Sequence, residues 1–485
     1  MRTSRRGFLI GAAATLVACD GLRGQTARWL GASWPDAVAV PGSAAIDPAH
    51  LFLSRAGLGP WPGDREALLA LGRPAWIERQ LHPDDIDDSA CRALARRFES
   101  VHASPAENLS TRHAQLREEH ARHELLRATF SERQLLESLT ALWGDHFNIA
   151  VAKGDVVAYK AHDHGLIRAH ALGSFRELVR ASALSPAMLL YLDGADNKAG
   201  GGDIPNENYA RELLELHTLG VSGGYVQRDV MEAARALSGW TVGDGDDWGQ
   251  GTVRFEPAHH DPGVKQVLGH TLQPGQGEDE LDALLDVVLA HESTSRFVAT
   301  KLCRWFLGEE APEDAIAQVA LTFRQTDGDL RACVRTTLLH PALDAAPGTR
   351  LKRPFRFVVS ALRGLGAIHH AGPELLRTLE RLGQPTGGHP TPDGYPWEES
   401  PWLGTLAWRW TFARDLAHAA TLAQVPWEAL RHGLGENPDA LFAHLIGRAP
   451  TPEERAALRL VRTEADDPWR ATAALTLASP AFQVT

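Results

Sequence analysis

Apolar residues recur at helical spacing throughout this chain, from Asp47 to the carboxy terminus. Leu135, Leu139 and Leu142, for example, follow one another at intervals of four and three residues, which places them on one face of an α-helix. No segment sustains the alternation of apolar and polar residues that a half-buried strand requires. The sequence therefore predicts an all-α fold class, a large multi-helix globular body, and its 44% hydrophobic composition is sufficient for a sizeable core.

Two long loops, rich in Gly, Asp and His, interrupt the helical pattern. The first covers residues 195–205 and contains three consecutive glycines, and the second covers residues 242–269. Loops of this length inside a compact domain are usually functional or disordered. Helix breakers divide the body, residues 46–485, into sub-parts of about 46–130, 131–347 and 348–485.

Residues 1–18 have the pattern of a twin-arginine signal peptide of the lipoprotein type. They read S-R-R-G-F-L-I from Ser4 to Ile10, continue as a short apolar run and end in L-V-A before Cys19. The run is too short to span a membrane, which takes about 20 apolar residues. We expect lipidation at Cys19, a flexible tether over residues 19–45 and a body exported to the periplasm or cell envelope. The alternative is an ordinary cleavage site followed by an unmodified cysteine.

The charge balance limits the classes of partner. The chain carries 61 acidic and 49 basic residues, a formal charge of −12, which disfavours binding through phosphate neutralisation. We therefore expect no nucleic-acid partner, and membrane attachment only through the lipid anchor. The cysteines form no C-x-x-C pair, so the sequence indicates neither a thiolate zinc site nor a disulfide scaffold.

Several segments match the motifs of one bacterial protein family. The longest is P-N-E-N-Y-A-R-E-L-L-E-L-H-T-L-G from Pro205, followed by D-V-M-E-A-A-R-A-L-S-G-W from Asp229. Shorter ones are H-L-F-L-S-R-A-G-L-G-P (50–60), L-W-G-D-H-F (142–147), H-H-D-P-G-V-K (259–265), R-P-F-R-F (353–357) and L-G-Q-P (382–385). Through these segments the chain resembles domain-of-unknown-function family 1800 over nearly its whole length.

The resemblance implies a location and a kind of partner. Members of that family commonly carry export leaders, and their genes often lie beside those of a second exported family that is sulfatase-like. A co-encoded, exported sulfatase-like protein is therefore the partner that the resemblance implies. It supplies no catalytic residues, so the site has to be sought in the residues themselves.

The longest motif predicts a helix over residues 206–219 with a charged face. Glu207, Arg211 and Glu215 follow at intervals of four, where opposite charges pair, and Glu212 lies on the same arc. Three interpretations remain open for this face: a solvated ladder of ion pairs, a buried network of Arg and Glu, or part of a metal site. The following helix adds further charged residues, namely Asp229, Glu232 and Arg235, and carboxylates that converge across helices are typical of helical metal sites.

Histidines that could join these acids lie in two places. His146 continues an apolar helical stripe and should point inward, either as a satisfied core residue or as a ligand. His260 and Asp261 lie in the second long loop, where metal binding, acid–base chemistry and plain solvation are all open. Other histidines are weaker candidates. Glu119 with His123 and His120 with Glu124 are spaced by four residues on a strongly charged helix, where a solvated face explains them. His162 and His164 should not share a side, because no strand is predicted there.

Two functions compete. The first is an exported, metal-dependent enzyme, hydrolytic or oxidative, with a divalent or transition metal. Its predicted catalytic residues are Glu207, Arg211, Glu212, Glu215, His260 and Asp261. Its predicted metal ligands are His146, Glu212, Glu215, Asp229, Glu232 and His260. The alternative is a non-catalytic envelope protein that binds or assembles a polymer or an exported partner through a tryptophan-rich surface near the carboxy terminus, with Trp397, Trp402, Trp408 and Trp410.

Overall fold

A computed structural model of the protein describes residues 34–199, 203–243, 249–345 and 347–485. Within these ranges the chain is mostly helical, and the predicted all-α class is confirmed. The twin-arginine leader, Cys19 and the first part of the predicted tether lie outside the described residues, as do short stretches of both predicted loops.

Short helices followed by one long one form the amino-terminal part. They are α1 (Pro48–Ala56), α2 (Asp64–Leu71), α3 (Arg73–Leu81), α4 (Ser89–Ala95), α5 (Glu99–His102), α6 (Pro105–Asn108) and α7 (His113–Phe130). Local sequence explains where α1 begins. The Asp47 carboxylate accepts a hydrogen bond from the His50 amide at 3.0 Å, and Pro48 occupies the first helical position, where no amide hydrogen is needed.

The middle part contains longer, more apolar helices. They are α8 (Gln134–His146), α9 (Val157–His170), α10 (Phe175–Ala183), α11 (Pro186–Tyr191), α12 (Asn208–Glu212), α13 (Gln227–Ala236), α14 (Glu280–Ala290), α15 (Glu292–Leu307), α16 (Glu313–Gln325) and α17 (Leu330–Leu339). Successive helices α15, α16 and α17 pack against one another.

The carboxy-terminal part packs around α21 and α25, which lie against each other. Its helices are α18 (Pro354–Gly364), α19 (Pro373–Arg381), α20 (Ser400–Leu403), α21 (Leu406–His418), α22 (Trp427–Leu434), α23 (Asp439–Ile446), α24 (Pro452–Thr463), α25 (Pro468–Ala478) and α26 (Pro480–Gln483).

The helix predicted over residues 206–219 is not regular. After α12 the chain forms a π-helical turn over Leu213–Thr218, in which the Leu219 amide donates to the Leu214 carbonyl at 2.9 Å. Each π turn takes in an extra residue, so the side chains that follow rotate away from the faces that 3.6 residues per turn predicts.

Four short strands lie in and beside the second predicted loop, and they correct the expectation that this segment has no regular structure. Strand β1 (Trp240–Val242) pairs antiparallel with β2 (Val253–Phe255), and β3 (Lys265–Val267) pairs antiparallel with β4 (His270–Leu272). Three residues are too few for an alternating pattern to stand out in a sequence, which is why the strands were not predicted.

Buried apolar side chains form two cores. The first joins α1 and α3 to the middle part and contains Phe147, Phe175 and Phe306. The second joins the carboxy-terminal helices to the end of α7, through Leu125 and Leu126. No helix of the described ranges is long and apolar enough to cross a membrane.

Candidate functional site

The predicted acidic face lies at the surface and is shorter than expected. Glu207 Oε2 and Arg211 Nη2 form the ion pair that their spacing predicts, 3.1 Å apart, and both side chains also contact Gln227. The predicted pairing is wrong for Glu215, which lies in the π turn, forms no ion pair with Arg211 and accepts a hydrogen bond from the Tyr225 hydroxyl at 2.9 Å. An exposed ion pair of this kind contributes about 0.5 kcal/mol to stability.

Glu212 lies among other carboxylates. Burial raises the pKa of Glu212, and the negative charges of Glu215 and Asp393 raise it further. The positive charge of Arg211 opposes this shift.

The acids of α13 hold the second hairpin in place. Asp229 accepts the amide hydrogens of Val226 and Leu268, both at 2.8 Å. Glu232 pairs with Arg235 at 2.9 Å and accepts the amide of Gln266 at 2.8 Å. Arg235 also forms an ion pair with Asp261, with 2.6 Å between Nε and Oδ2. The oxygens of these acids are therefore bound by arginine and by backbone amides.

The two predicted histidine ligands are buried in different surroundings. A ring nitrogen of His146 lies 3.1 Å from the carbonyl oxygen of His217, and burial lowers the pKa of His146 well below its usual value. His260 Nδ1 lies 2.8 Å from the Ser238 carbonyl, and its Nε2 lies 3.5 Å from a carboxylate oxygen of Glu280. The two rings contact no residue in common.

The structure therefore does not assemble the predicted metal site. Among the residues it describes, no three His, Cys, Asp or Glu side chains are arranged to hold a metal ion. Metal-dependent activity therefore stays a prediction, and the described residues supply no set of ligands for it.

A different site lies between the two cores, which we call the central cavity. Its volume is about 110 Å³. Most of its lining comes from three walls: α7, α8 and α9 on one side, residues 350–356 on the second, and the loop of residues 384–395 on the third. Leu58 and Trp305 also line it. Apolar side chains make up much of the lining, namely Leu58, Ala128, Ala141, Ile167, Trp305, Phe355 and Pro385.

Segments that carry the family resemblance meet at this cavity. Asp145 belongs to L-W-G-D-H-F, Arg353 and Arg356 belong to R-P-F-R-F, and Gln384 and Pro385 belong to L-G-Q-P; all five line the cavity.

The second wall is strongly basic. The guanidinium groups of Arg350 and Arg356 lie 5.8 and 5.3 Å from the ring of Trp305. Arg353 pairs with Asp145 at 2.8 Å, but neither Arg350 nor Arg356 forms an ion pair with any carboxylate in the described part of the chain. Arg350 donates a hydrogen bond to the backbone carbonyl of Trp305. Burial lowers the pKa of Arg350 well below its usual value and the neighbouring arginines lower it further, while the charge of Glu399 opposes this shift.

Arg356 is held by backbone carbonyls instead of carboxylates. One of its nitrogens donates to Ser54 and Gly57 at 2.7 and 2.6 Å. Burial, followed by the charge of Arg353, lowers the pKa of Arg356 to about 10. Two positive charges with no acidic partner thus stand in an environment that penalises charge.

The first wall carries charges that are already paired. Lys160 lies 3.3 Å from Asp163, and His164 Nε2 lies 3.0 Å from Glu124. Deeper in the same wall, Glu137 binds two further arginines, Arg127 at 2.9 Å and Arg168 at 2.7 Å.

The third wall is fixed to the second by Arg353, which donates to the carbonyls of Tyr395 and Pro396 at 2.5 and 2.8 Å. Asp145 accepts the Tyr395 amide at 2.8 Å. Gly394 between these groups has a φ of +75°, and a Cβ there would lie 2.2 Å from the Asp145 carbonyl oxygen. The close approach of the loop to α8 therefore requires glycine.

The histidines of α7 and α9 correct one prediction and agree with another. The expected solvated face is wrong, because His120 and His123 are only 3% and 8% exposed. His164 is buried in the same cluster, with its ring centroid 5.3 Å from that of His120, whereas His162 is exposed, so these two do not share a side, as predicted. A signal was present: Leu116, His120 and His123 recur at intervals of four and three residues, a stripe that begins with a buried leucine.

The tryptophans do not form one surface. Trp402 is buried, and Trp397 is half-buried with its ring centroid 6.2 Å from that of Trp305. Trp408 and Trp410 are 44% and 55% exposed.

Fold and site define a mostly α-helical protein with a basic, largely apolar cavity between two cores. The chain belongs to the family described as protein of unknown function (DUF1800), whose sequence model matches residues 51–484. Neither the curated proteins nor the solved structures include one that matches the chain.

Proposed function

We propose that this protein binds a small organic anion, an apolar body with one carboxylate or similar group, in the central cavity. The observation that carries the proposal is Arg350, a guanidinium that lines the cavity beside Trp305 and pairs with no carboxylate of the described residues. A charge in such a place is unfavourable unless an opposite charge compensates it.

The size of the cavity supports a ligand of a few heavy atoms. A cavity of about 150 Å³ in a protein core holds benzene, so about 110 Å³ suits a short-chain acid better than a sugar or a nucleotide. Small-molecule sites are commonly lined by apolar side chains with a few polar groups that fix the orientation. Ile167 and Phe355 would contact the apolar body, and Arg350 would bind the anionic group.

The charges of the other walls support the same orientation. Asp145 is neutralised by Arg353, and Glu137 by two arginines, so neither carboxylate opposes an incoming anion with its full charge. The positive charges without a carboxylate partner, those of Arg350 and Arg356, lie on the second wall. We therefore expect the anionic group of the ligand to bind there.

Calorimetric titration of the purified protein tests the proposal. Butyrate is the probe, and butyramide, which has nearly the same shape and no charge, is the matched ligand. We expect one equivalent of butyrate to bind, butyramide to bind at least about tenfold more weakly, and Arg350→Gln to lose at least about tenfold, or about 1.4 kcal/mol. Arg414→Gln, at an exposed arginine paired with Asp415, is the control and should bind as the parent does.

The proposal fails if butyrate, propanesulfonate and ethyl phosphate all leave the heat signal unchanged. Binding that Arg350→Gln does not weaken would also contradict it, because the anion would then be held elsewhere. Thermal unfolding of both variants confirms that they are folded.

We propose further that the protein acts outside the cytoplasm, anchored by lipid at Cys19. Arg5 and Arg6 before a short apolar run, and L-V-A before Cys19, support this proposal. Replacement of both arginines by lysine should leave the precursor in the cytoplasm, and Cys19→Ser should release the exported protein from the membrane fraction. Membrane attachment that survives Cys19→Ser contradicts the anchor, and export that survives the lysine pair contradicts the route.

A further inference from the structure

An open groove of about 780 Å³ lies on the other side of the loop that closes the central cavity. Its floor is one face of α15, and its walls are the turn after the π helix and residues 389–398. Tyr395 lines both the groove and the cavity. The two spaces are therefore neighbours separated by one loop.

Lys301 lies on the floor of this groove. Its ammonium group is 4.9 Å from the ring centroid of Phe297, one turn earlier on α15. In the described ranges it forms no hydrogen bond and no ion pair, whereas Lys153 pairs with Asp193 at 2.6 Å and Lys265 with Glu280 at 2.5 Å.

The surroundings of Lys301 favour the uncharged amine. Burial lowers its pKa to about 8, and the charges of Arg353 and Arg304 contribute to the shift while Asp145 and Asp393 oppose it. A lysine whose amine is partly uncharged near neutral pH, in an apolar setting, is a nucleophile.

Polar groups that can move protons lie across the groove from α15. Thr391 Oγ1 donates to Asp393 at 2.5 Å and lies 3.0 Å from His389 Nε2. Arg304, one turn after Lys301, is exposed and forms no ion pair within the described chain. The groove thus combines a nucleophile, a histidine and a cation that is available to an anionic group.

We propose that the groove binds a small carbonyl compound with an anionic group, and that Lys301 forms an imine with it. The Nζ lone pair attacks the carbonyl carbon, a C–N bond forms, and the carbonyl oxygen takes up a proton. Loss of the nitrogen-bound proton and of the hydroxyl group as water leaves C=N. Amine and carbonyl compound give imine and water, with no oxidant or reductant. His389 exchanges the protons, and Arg304 contacts the anionic group.

The test uses glyoxylate on the full exported protein, with cyanoborohydride added to convert any imine into a stable secondary amine. Peptide mass spectrometry then gives the labelling rate of each lysine. We expect Lys301 to be labelled at least about tenfold faster than Lys153, which serves as the internal reference. The ratio should fall to about one in denaturant, where the groove no longer exists, and Lys301→Met should lack the fast adduct.

A second arm tests the anionic group. Arg304→Gln should slow labelling by glyoxylate severalfold but leave labelling by uncharged glycolaldehyde unchanged; equal effects on both would overturn the role of Arg304. Labelling of Lys301 that is no faster than that of Lys153 in the folded protein overturns the imine. Arg304 is exposed, so its variant folds, and circular dichroism confirms this.

Discussion

Lys265 and Glu280 form an ion pair without exposed surface, with 2.5 Å between Nζ and Oε2. The lysine lies in β3 and the glutamate opens α14, so the pair joins the small hairpin to the helical body. His260 Nε2 lies 3.5 Å from the second oxygen of the same carboxylate, too far for a hydrogen bond of ordinary length. His260 is therefore buried beside this ion pair, which its position in a long polar loop did not indicate.

Removal of one charge from this pair should be more damaging than removal of both. Glu280→Gln should lower the free energy of unfolding by about 3–5 kcal/mol, because it leaves the Lys265 charge buried and unpaired. The double variant Lys265→Met, Glu280→Leu should lose clearly less. Denaturant unfolding of the three proteins measures the difference, and equal losses in single and double variants would contradict it.

Arg350→Met should stabilise the ligand-free protein while it abolishes anion binding. Burial disfavours the charge of Arg350. Replacing an unpaired buried charge by an apolar side chain of similar length gains about 1 kcal/mol or more, which we expect to outweigh the lost hydrogen bond to the Trp305 carbonyl. Thermal unfolding without and with butyrate gives both quantities. A large destabilisation would show instead that the protein already compensates the charge.

Stability should depend on pH through Glu137. Burial raises the pKa of this carboxyl, but Arg168 and Arg127 outweigh burial and hold the pKa well below its usual range. The unfolded chain therefore takes up a proton near pH 4.5 that the folded protein does not, so the stability from this network is complete above about pH 5 and is lost as pH falls. Unfolding free energies measured from pH 7 to 3 should show this slope.

The matched variant for that measurement is Glu137→Gln. It should be less stable at pH 7, because two guanidiniums lose their partner, and its stability should change less between pH 5 and 3. A slope that is the same in both proteins would assign the acid sensitivity to other carboxyls.

Gly394→Ala should loosen the loop that closes the central cavity. The added methyl would overlap the Asp145 carbonyl, and the left-handed backbone disfavours any residue with a Cβ. We expect a loss of about 1–3 kcal/mol in unfolding free energy and weaker butyrate binding. Gly372→Ala, where a Cβ meets no neighbouring atom, is the control; similar losses in both variants would mean that the close contact has no special cost.

The spacing of apolar residues was sufficient to predict the fold class, because helical periodicity can be recognised within each segment alone. It was insufficient for the acidic face of α12. After Glu212 the chain forms a π-helical turn that residue spacing does not reveal, and Glu215 binds the Tyr225 hydroxyl instead of Arg211 although their spacing is ideal.

The central cavity was not predicted because its parts are far apart in sequence. The local sequence around Arg350 and Arg356 indicates a helix start at a proline, but not that these arginines line a cavity. Glu124 belongs to a helix whose many charges predict a solvent-exposed side chain. Only the folded chain brings them to one space. His120 and His123 are the exception, because their spacing from Leu116 carried the information on burial and the charge of the helix masked it.

The walls of the central cavity come from α7–α9, from residues 350–356 and from residues 384–395. Because the chain is synthesised from its amino terminus, most of it has been made before the third wall, residues 384–395, exists. An excised fragment that lacks any of these walls is therefore expected to lose the site. The cavity is gained or lost as a whole, so a relative without the closing loop could keep this arrangement of helices and still have nothing to bind.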